Sequence, residues 1–138
     1  SNNEVAYPVT AALLAMQVTS GPLNIRSGPG TGYSIIGQAA SGQVYISDQT
    51  SSGWYRMWWG NGQGWCSGSY LAQASGTAAK ITGSLNVRTG PGTSYAILGT
   101  TTTGEYWFVT GTSGEWYRIW WKGQEAWIWN GYAQIFTV

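Results

Sequence analysis

From Gln17 onward the chain is written in short apolar runs rich in Val, Ile, Thr, Tyr and Trp, separated at close intervals by Ser27-Gly28-Pro29-Gly30, Ala40-Ser41-Gly42, Ser51-Ser52-Gly53 and Gly60-Asn61-Gly62. Short runs of β-branched and aromatic residues bounded by turn-forming clusters are the pattern of an all-β chain. It predicts strands over 17–19, 23–26, 43–48, 54–59 and 64–67, and the same set 62 residues later. So many short strands per unit suggest a small barrel. Ahead of them, Pro8 followed by Val9 to Ala15 suits either one or two helical turns or a lead-in strand.

The strand set recurs because one block occurs twice. Residues 23–71 lie over 85–133 without a gap, and 20 of the 49 paired positions are identical. What both copies keep is Gly, Pro, Arg and aromatics, with no matched acid, histidine or cysteine. The repeat therefore points to binding and not to catalysis. It predicts an extension over 1–15, domains over 16–73 and 80–138, and a linker over 74–79, each domain near the lower size limit for an independent core.

Alternate side chains of a strand face opposite sides. Met57 is matched by Ile119, which marks Tyr55, Met57 and Trp59 as the core side and leaves Trp54, Arg56 and Trp58 outward. On the neighbouring strand, Val44 and Ile46 are read as inward, so Tyr45 and its match Trp107 are expected outward. Cross-strand neighbours then form an aromatic platform of Tyr45, Trp54 and Trp58, repeated as Trp107, Trp116 and Trp120. Trp65 and Trp127 precede the apolar Cys66 and Ile128 and lean outward by the same alternation, with Trp129 beside Trp127. Arg56 and Arg118 stand between outward tryptophans, and Tyr33 and Tyr95 are placed at the mouth of a groove beside the Gly-Pro-Gly loop. Flat rings among few charges suit the CH faces of a sugar, and the arginine forks suit a carboxylate or carbonyl. The competing reading has the tryptophans capping the barrels or packing one repeat on the other. Arg26 and Arg88, inside the turn, are read first as loop-holding residues.

Charge narrows the partners further. Charged residues make up 8% of the chain and the net charge is +1, with no basic run, so nucleic acid is not an expected partner. There is no histidine and a single cysteine, which removes a disulfide, a Cys/His zinc site and any His-based triad. Cys66 is matched by Ile128, so a buried apolar role is expected. None of the acids is matched, so the paired carboxylates a glycosidase needs are not duplicated. No enzyme activity, cofactor or metal is expected. The stretch 11–16 is too short to span a bilayer, and the start of the chain lacks the basic region of a secretory leader, as a mature or trimmed terminus would.

The runs Leu23-Asn24-Ile25-Arg26-Ser27-Gly28-Pro29-Gly30-Thr31-Gly32-Tyr33 and Leu85-Asn86-Val87-Arg88-Thr89-Gly90-Pro91-Gly92-Thr93-Ser94-Tyr95 resemble the bacterial Src homology 3-like domain. Ile35-Ile36-Gly37, Gly53-Trp54-Tyr55-Arg56-Met57, Gly64-Trp65 and Tyr70-Leu71 agree with it, while Ala126 before Trp127 and the pairs Trp58-Trp59 and Trp120-Trp121 depart from it. The resemblance implies two strongly bent antiparallel barrels in tandem. It implies also a non-catalytic module of the kind appended to secreted or periplasmic wall hydrolases, binding peptidoglycan or its peptide bridges at a secreted, periplasmic or cell-surface location. The rival expectations are an assembly module that buries its tryptophans against another domain or a second copy, and a free-standing lectin.

Overall fold

The computed structural model describes residues 7–60 and 62–138. The first unit contains β1 (Thr10–Val18), β2 (Leu23–Arg26), β3 (Ile35–Ala39), β4 (Val44–Ser51), β5 (Trp54–Trp58), β6 (Gln63–Ser67) and β7 (Leu71–Ala74). The second contains β8 (Thr77–Ile81), β9 (Leu85–Arg88), β10 (Ile97–Thr101), β11 (Tyr106–Ser113), β12 (Trp116–Trp121), β13 (Gln124–Trp129) and β14 (Ala133–Thr137). The sheet orders are β3-β2-β6-β5-β4-β1-β7 and β10-β9-β13-β12-β11-β8-β14, the same topology displaced by seven strands, and each sheet curls into a small barrel. A one-turn 3-10 helix, Gly68–Tyr70 or Asn130–Tyr132, precedes the last strand of each.

Of the two forms expected for the lead-in, the structure has the strand: β1 starts at Thr10, inside the stretch 1–15 set apart as an extension. It pairs with both β4 and β7. Only Ser75 and Gly76 separate β7 from β8, so most of 74–79, expected as a linker, is built into the sheets. Strands β3 and β10 were not expected. Their exposed isoleucines, Ile35 and Ile97, carry no inward signal, and each strand has a glycine, Gly37 or Gly99, on which the ring of Trp59 or Trp121 lies directly.

Each barrel closes on its own core: Met16, Val18, Leu23, Ile25, Tyr45, Met57 and Cys66 in the first, Ile81, Leu85, Val87, Trp107, Ile119, Trp121 and Ile128 in the second. Tyr45 and Trp107, expected outward, are buried at 6% and 3% exposure. The phase of β4 and β11 is the reverse of the one expected, because both faces of these strands are covered. Tyr45 pairs with Met16 and points into the barrel, whereas Ile46, with Ala15 and Ala78, forms an apolar layer between the barrels that Val44, Tyr106, Phe108 and Phe136 complete. Apolar residues on both faces leave alternation without a direction. The Trp58 ring lies 6.1 Å from that of Tyr106 in the second barrel, and Trp120 packs against the core of the first.

Positions that differ between the copies change in compensating sets. The Tyr45 hydroxyl accepts the Ala40 N–H at 3.0 Å. Its match Trp107 can only donate, and there the second copy supplies Glu105 in place of Gln43. Glu105 accepts from Trp107 Nε1 at 3.2 Å and from the N–H and hydroxyl of Thr102, each at 2.7 Å. Glu105 is thus a buried structural acceptor, 2% exposed. Burial raises the Tyr45 hydroxyl above its usual 10.0, opposed by the Ala40 amide and by the nearby Trp120 indole, whose N–H approaches without closing a full hydrogen bond.

A second set involves volume. A side chain on Gly64 would collide with Ile25 and press on Ile36, and the matched Ala126 is accepted where Val87 and Leu98 replace those isoleucines. Gly64→Ala is expected to cost about 1–3 kcal/mol by overpacking. Adding Ile25→Val and Ile36→Leu, the pair present in the second barrel, is expected to recover part of that loss, because leucine moves the methyl that Ile36 presents and the smaller valine can turn its γ-methyls away from the new Cβ; a urea mutant cycle measures the coupling, and strict additivity would refute it.

Cys66 is buried and free, as its match to Ile128 implied. Burial pushes its thiol from 9.0 up to about 12. A thiol reagent at pH 8 should leave the native chain unmodified and label it fully in denaturant. The unfolded thiol ionises first, so the unfolded state holds fewer protons above pH about 9, and stability is expected to fall as pH rises from there toward 12.

Candidate functional site

The outer face of each barrel is set by the antiparallel pairing of its central hairpin. In β5 and β6, Trp54 stands opposite Ser67, Arg56 opposite Trp65, and Trp58 opposite Gln63, while Met57 and Cys66 point into the core. Strand β2 joins at Arg26, which pairs with Trp65. The matched row in the second barrel sets Trp116 against Trp129, Arg118 against Trp127 and Trp120 against Glu125, with Arg88 beside Trp127.

One end of this face opens into a groove, and the same groove occurs in both barrels. In the first, about 510 Å³ is lined by Leu23, Asn24, Arg26, Thr31, Trp54 and Ser67, closed by Pro22 and Tyr70. In the second, about 500 Å³ is lined by the matched Leu85, Asn86, Arg88, Thr93, Trp116 and Trp129. The arginine that shapes each groove also holds its loop. Arg26 Nη1 donates to the carbonyls of Thr31 and Tyr33 at 3.1 and 3.0 Å, and Arg88 Nη1 to those of Thr93 and Tyr95 at 3.0 and 2.9 Å. A tryptophan face, an amide and a hydroxyl thus sit around a cleft whose wall is pinned by a guanidinium. Such an arrangement can stack a flat or CH-rich group and hydrogen-bond its polar substituents. The grooves differ at one end, where Glu115 and the 38%-exposed Trp129 stand in place of Gly53 and Ser67.

The residues expected at the site divide accordingly. Trp54, Trp116 and Trp129 line the grooves. Tyr45 and Trp107 belong to the cores, and Trp58 and Trp120 to the contact between the barrels. The expected platform of Tyr45, Trp54 and Trp58 is therefore not assembled, nor is that of Trp107, Trp116 and Trp120. Arg56 is bound to Asp48, its Nε and Nη2 each 2.9 Å from a carboxylate oxygen. Arg118, lacking that acid, donates to the hydroxyl and carbonyl of Thr110 and lies over the Trp127 ring at 5.9 Å. Trp65 and Tyr33 receive the ring of Tyr7, whereas of their matches Tyr95 is exposed and Trp127 half-buried. Asn24, Asn86, Thr31 and Thr93 were missed as site residues. Their identity in both copies was the signal, obscured because the run containing them reads as a turn.

Among the described residues no cluster of three or more His, Cys, Asp or Glu is placed to hold a metal ion, and no helix is long and apolar enough to cross a membrane.

A curated relative, "Putative N-acetylmuramoyl-L-alanine amidase YrvJ" of Bacillus subtilis (strain 168), is 27% identical over 136 residues, an alignment covering 91% of this chain and 26% of that protein. The chain thus spans about a quarter of that relative's length. Two solved structures, NlpC1 and NlpC2 from Trichomonas vaginalis, align with 91% of the chain at 12% and 13% identity and a TM-score of 0.39, over 46% and 49% of their own lengths. Residues 21–72 and 83–134 each match the bacterial SH3 domain family, and between them they hold both grooves, so the chain belongs to that family as a tandem pair.

Proposed function

We propose that this chain is a non-catalytic module that holds bacterial cell-wall peptidoglycan in two matched grooves, outside the cytoplasm. The observation that carries the reading is the groove itself, formed twice from the same Asn, Arg, Thr and Trp. Trp54 and Trp116 offer flat faces to the ligand, while Asn24, Asn86, Thr31 and Thr93 offer the polar partners that orient it. Two of the acids, Asp48 and Glu105, serve as hydrogen-bond acceptors within the fold. Family membership and the wall-related name of the Bacillus subtilis relative support the same ligand class. The packed layer between the barrels fixes the two grooves relative to each other, which favours a repeating polymer because engagement of one groove raises the effective concentration at the other.

Sedimentation with purified insoluble peptidoglycan tests the proposal. The chain is expected to pellet with the wall and to stay in the supernatant with cellulose. Equal retention on both would indicate a general glycan lectin, and retention on neither would overturn the reading.

A further inference from the structure

The two barrels differ at a notch beside the groove, one strand pair further along the outer face. In the first barrel the notch is formed by Trp65 and Tyr33, and the ring of Tyr7 fills it. Tyr7 meets Trp65 at 5.6 Å and 89°, and Tyr33 at 6.2 Å and 77°, edge-to-face in both cases. Trp65 is left only 3% exposed. The matched notch of the second barrel has the same residue types, Trp127 and Tyr95, with Arg118 over the indole. No ring of the described residues fills it as Tyr7 fills the first: Tyr95 is 47% exposed and Trp127 is half-buried, against 3% exposure for Trp65.

We propose that the Tyr95–Trp127 notch is a binding seat for an aromatic side chain of an extended polypeptide segment, the chemistry that Tyr7 supplies to the first barrel. This goes beyond wall binding, since the notch is distinct from the groove floor and its ligand is a peptide. The geometry favours an aromatic ring over a sugar. Edge-to-face contact sets a positive ring edge against a π face, whereas a pyranose stacks flat through its CH groups. Tyr7 is followed by Pro8, and a residue before proline is held away from helical backbone. A tyrosine presented in this way enters a shallow notch without unwinding a helix first. Arg118 adds a donor at the rim for a carbonyl or carboxylate of the incoming segment.

The probe is a capped peptide with the sequence of residues 4–11, Glu-Val-Ala-Tyr-Pro-Val-Thr-Ala, added to the full chain and followed through the indole N–H signals in heteronuclear NMR. One peptide per chain is expected, moving the Trp127 signal and not that of Trp65. Tyr7→Ala, which empties the first notch, is expected to raise the stoichiometry to two. Replacing the peptide tyrosine by alanine is expected to weaken binding about tenfold, the loss of two edge-to-face contacts. This control leaves the protein untouched, and Trp127→Leu supplies the matching loss from the protein side. Absence of any shift at millimolar peptide would overturn the proposal, as would equal affinity for the alanine peptide or binding indifferent to Trp127→Leu.

Discussion

The combined variant Trp54→Ala/Trp116→Ala is expected to lose retention on insoluble peptidoglycan altogether, while each single variant keeps a weakened, faster-releasing attachment. Each indole lies half-buried on its groove wall and belongs to none of the barrel cores, so removing it takes away ligand surface without opening a cavity beneath. A tryptophan at the centre of a binding site commonly contributes about 2 kcal/mol or more, roughly 30-fold in affinity per groove. Losing one groove also removes the gain from linked engagement, about 10²- to 10⁴-fold for well-matched sites. A single substitution therefore converts a bivalent attachment into a monovalent one, and the second leaves nothing to hold. Sedimentation across a range of wall concentrations reads both steps, and unchanged near-ultraviolet circular dichroism shows that the barrels remain folded. Wall binding by the double variant at wild-type strength would place the site elsewhere. Trp54→Phe/Trp116→Phe, which keeps a smaller ring, is expected to fall between wild type and the alanine pair.

The fold was readable wherever one face of a strand is apolar and the other is not. Met57 against Ile119 set the phase of β5 and β12 correctly, because the opposite faces carry arginine. On β4 and β11 the same reasoning inverted the strand. Ile46 and Phe108 lie in the layer between barrels while Tyr45 and Trp107 fill the cores, and no local pattern distinguishes a core from an interface between two repeats. The lead-in strand was legible only in part, and its repeat was masked by a shift of one residue. Val18 and Ile81 occupy the same place in the two barrels, each donating to the carbonyl of Gln43 or its match Glu105, yet they stand 63 positions apart where the block that follows repeats at 62. An ungapped comparison therefore sets β1 and β8 one residue out of step, and the strands expected over 17–19 and 79–81 overlap only the ends of the observed ones. The groove was partly visible: Trp54 and Trp116 were identified, but Asn24, Thr31 and their matches sit in a run whose glycines and proline account for themselves as a turn, and only the folded loop shows that they face the cleft.

Asp48→Ala is expected to be the most damaging single change on the outer face, although Asp48 has no acidic counterpart in the second barrel. Its carboxylate accepts from Arg56 Nε and Nη2, from Trp58 Nε1 at 3.2 Å and from Gln63 Nε2 at 2.8 Å, with 16% of its side chain exposed. Removing it strands a cation and two donors in a partly dry site, at a cost of about 2–4 kcal/mol. That is a drop in melting temperature of roughly 10 °C. Trp58 is also the residue that meets Tyr106, so losing its anchor loosens the contact between barrels as well as the first barrel itself. The second barrel shows how such a site is made without this acid. Thr110 replaces Asp48, and the carboxylate moves across the strand pair to Glu125, matched to Gln63, whose oxygen lies 3.9 Å from Arg118 Nε. Asp48→Thr/Gln63→Glu is accordingly expected to recover part of the stability lost in Asp48→Thr alone, since the new acid again faces Arg56. Guanidinium denaturation of the three variants decides the matter. If Gln63→Glu makes Asp48→Thr worse, the two arginine sites are not interchangeable and the migration of the acid is incidental.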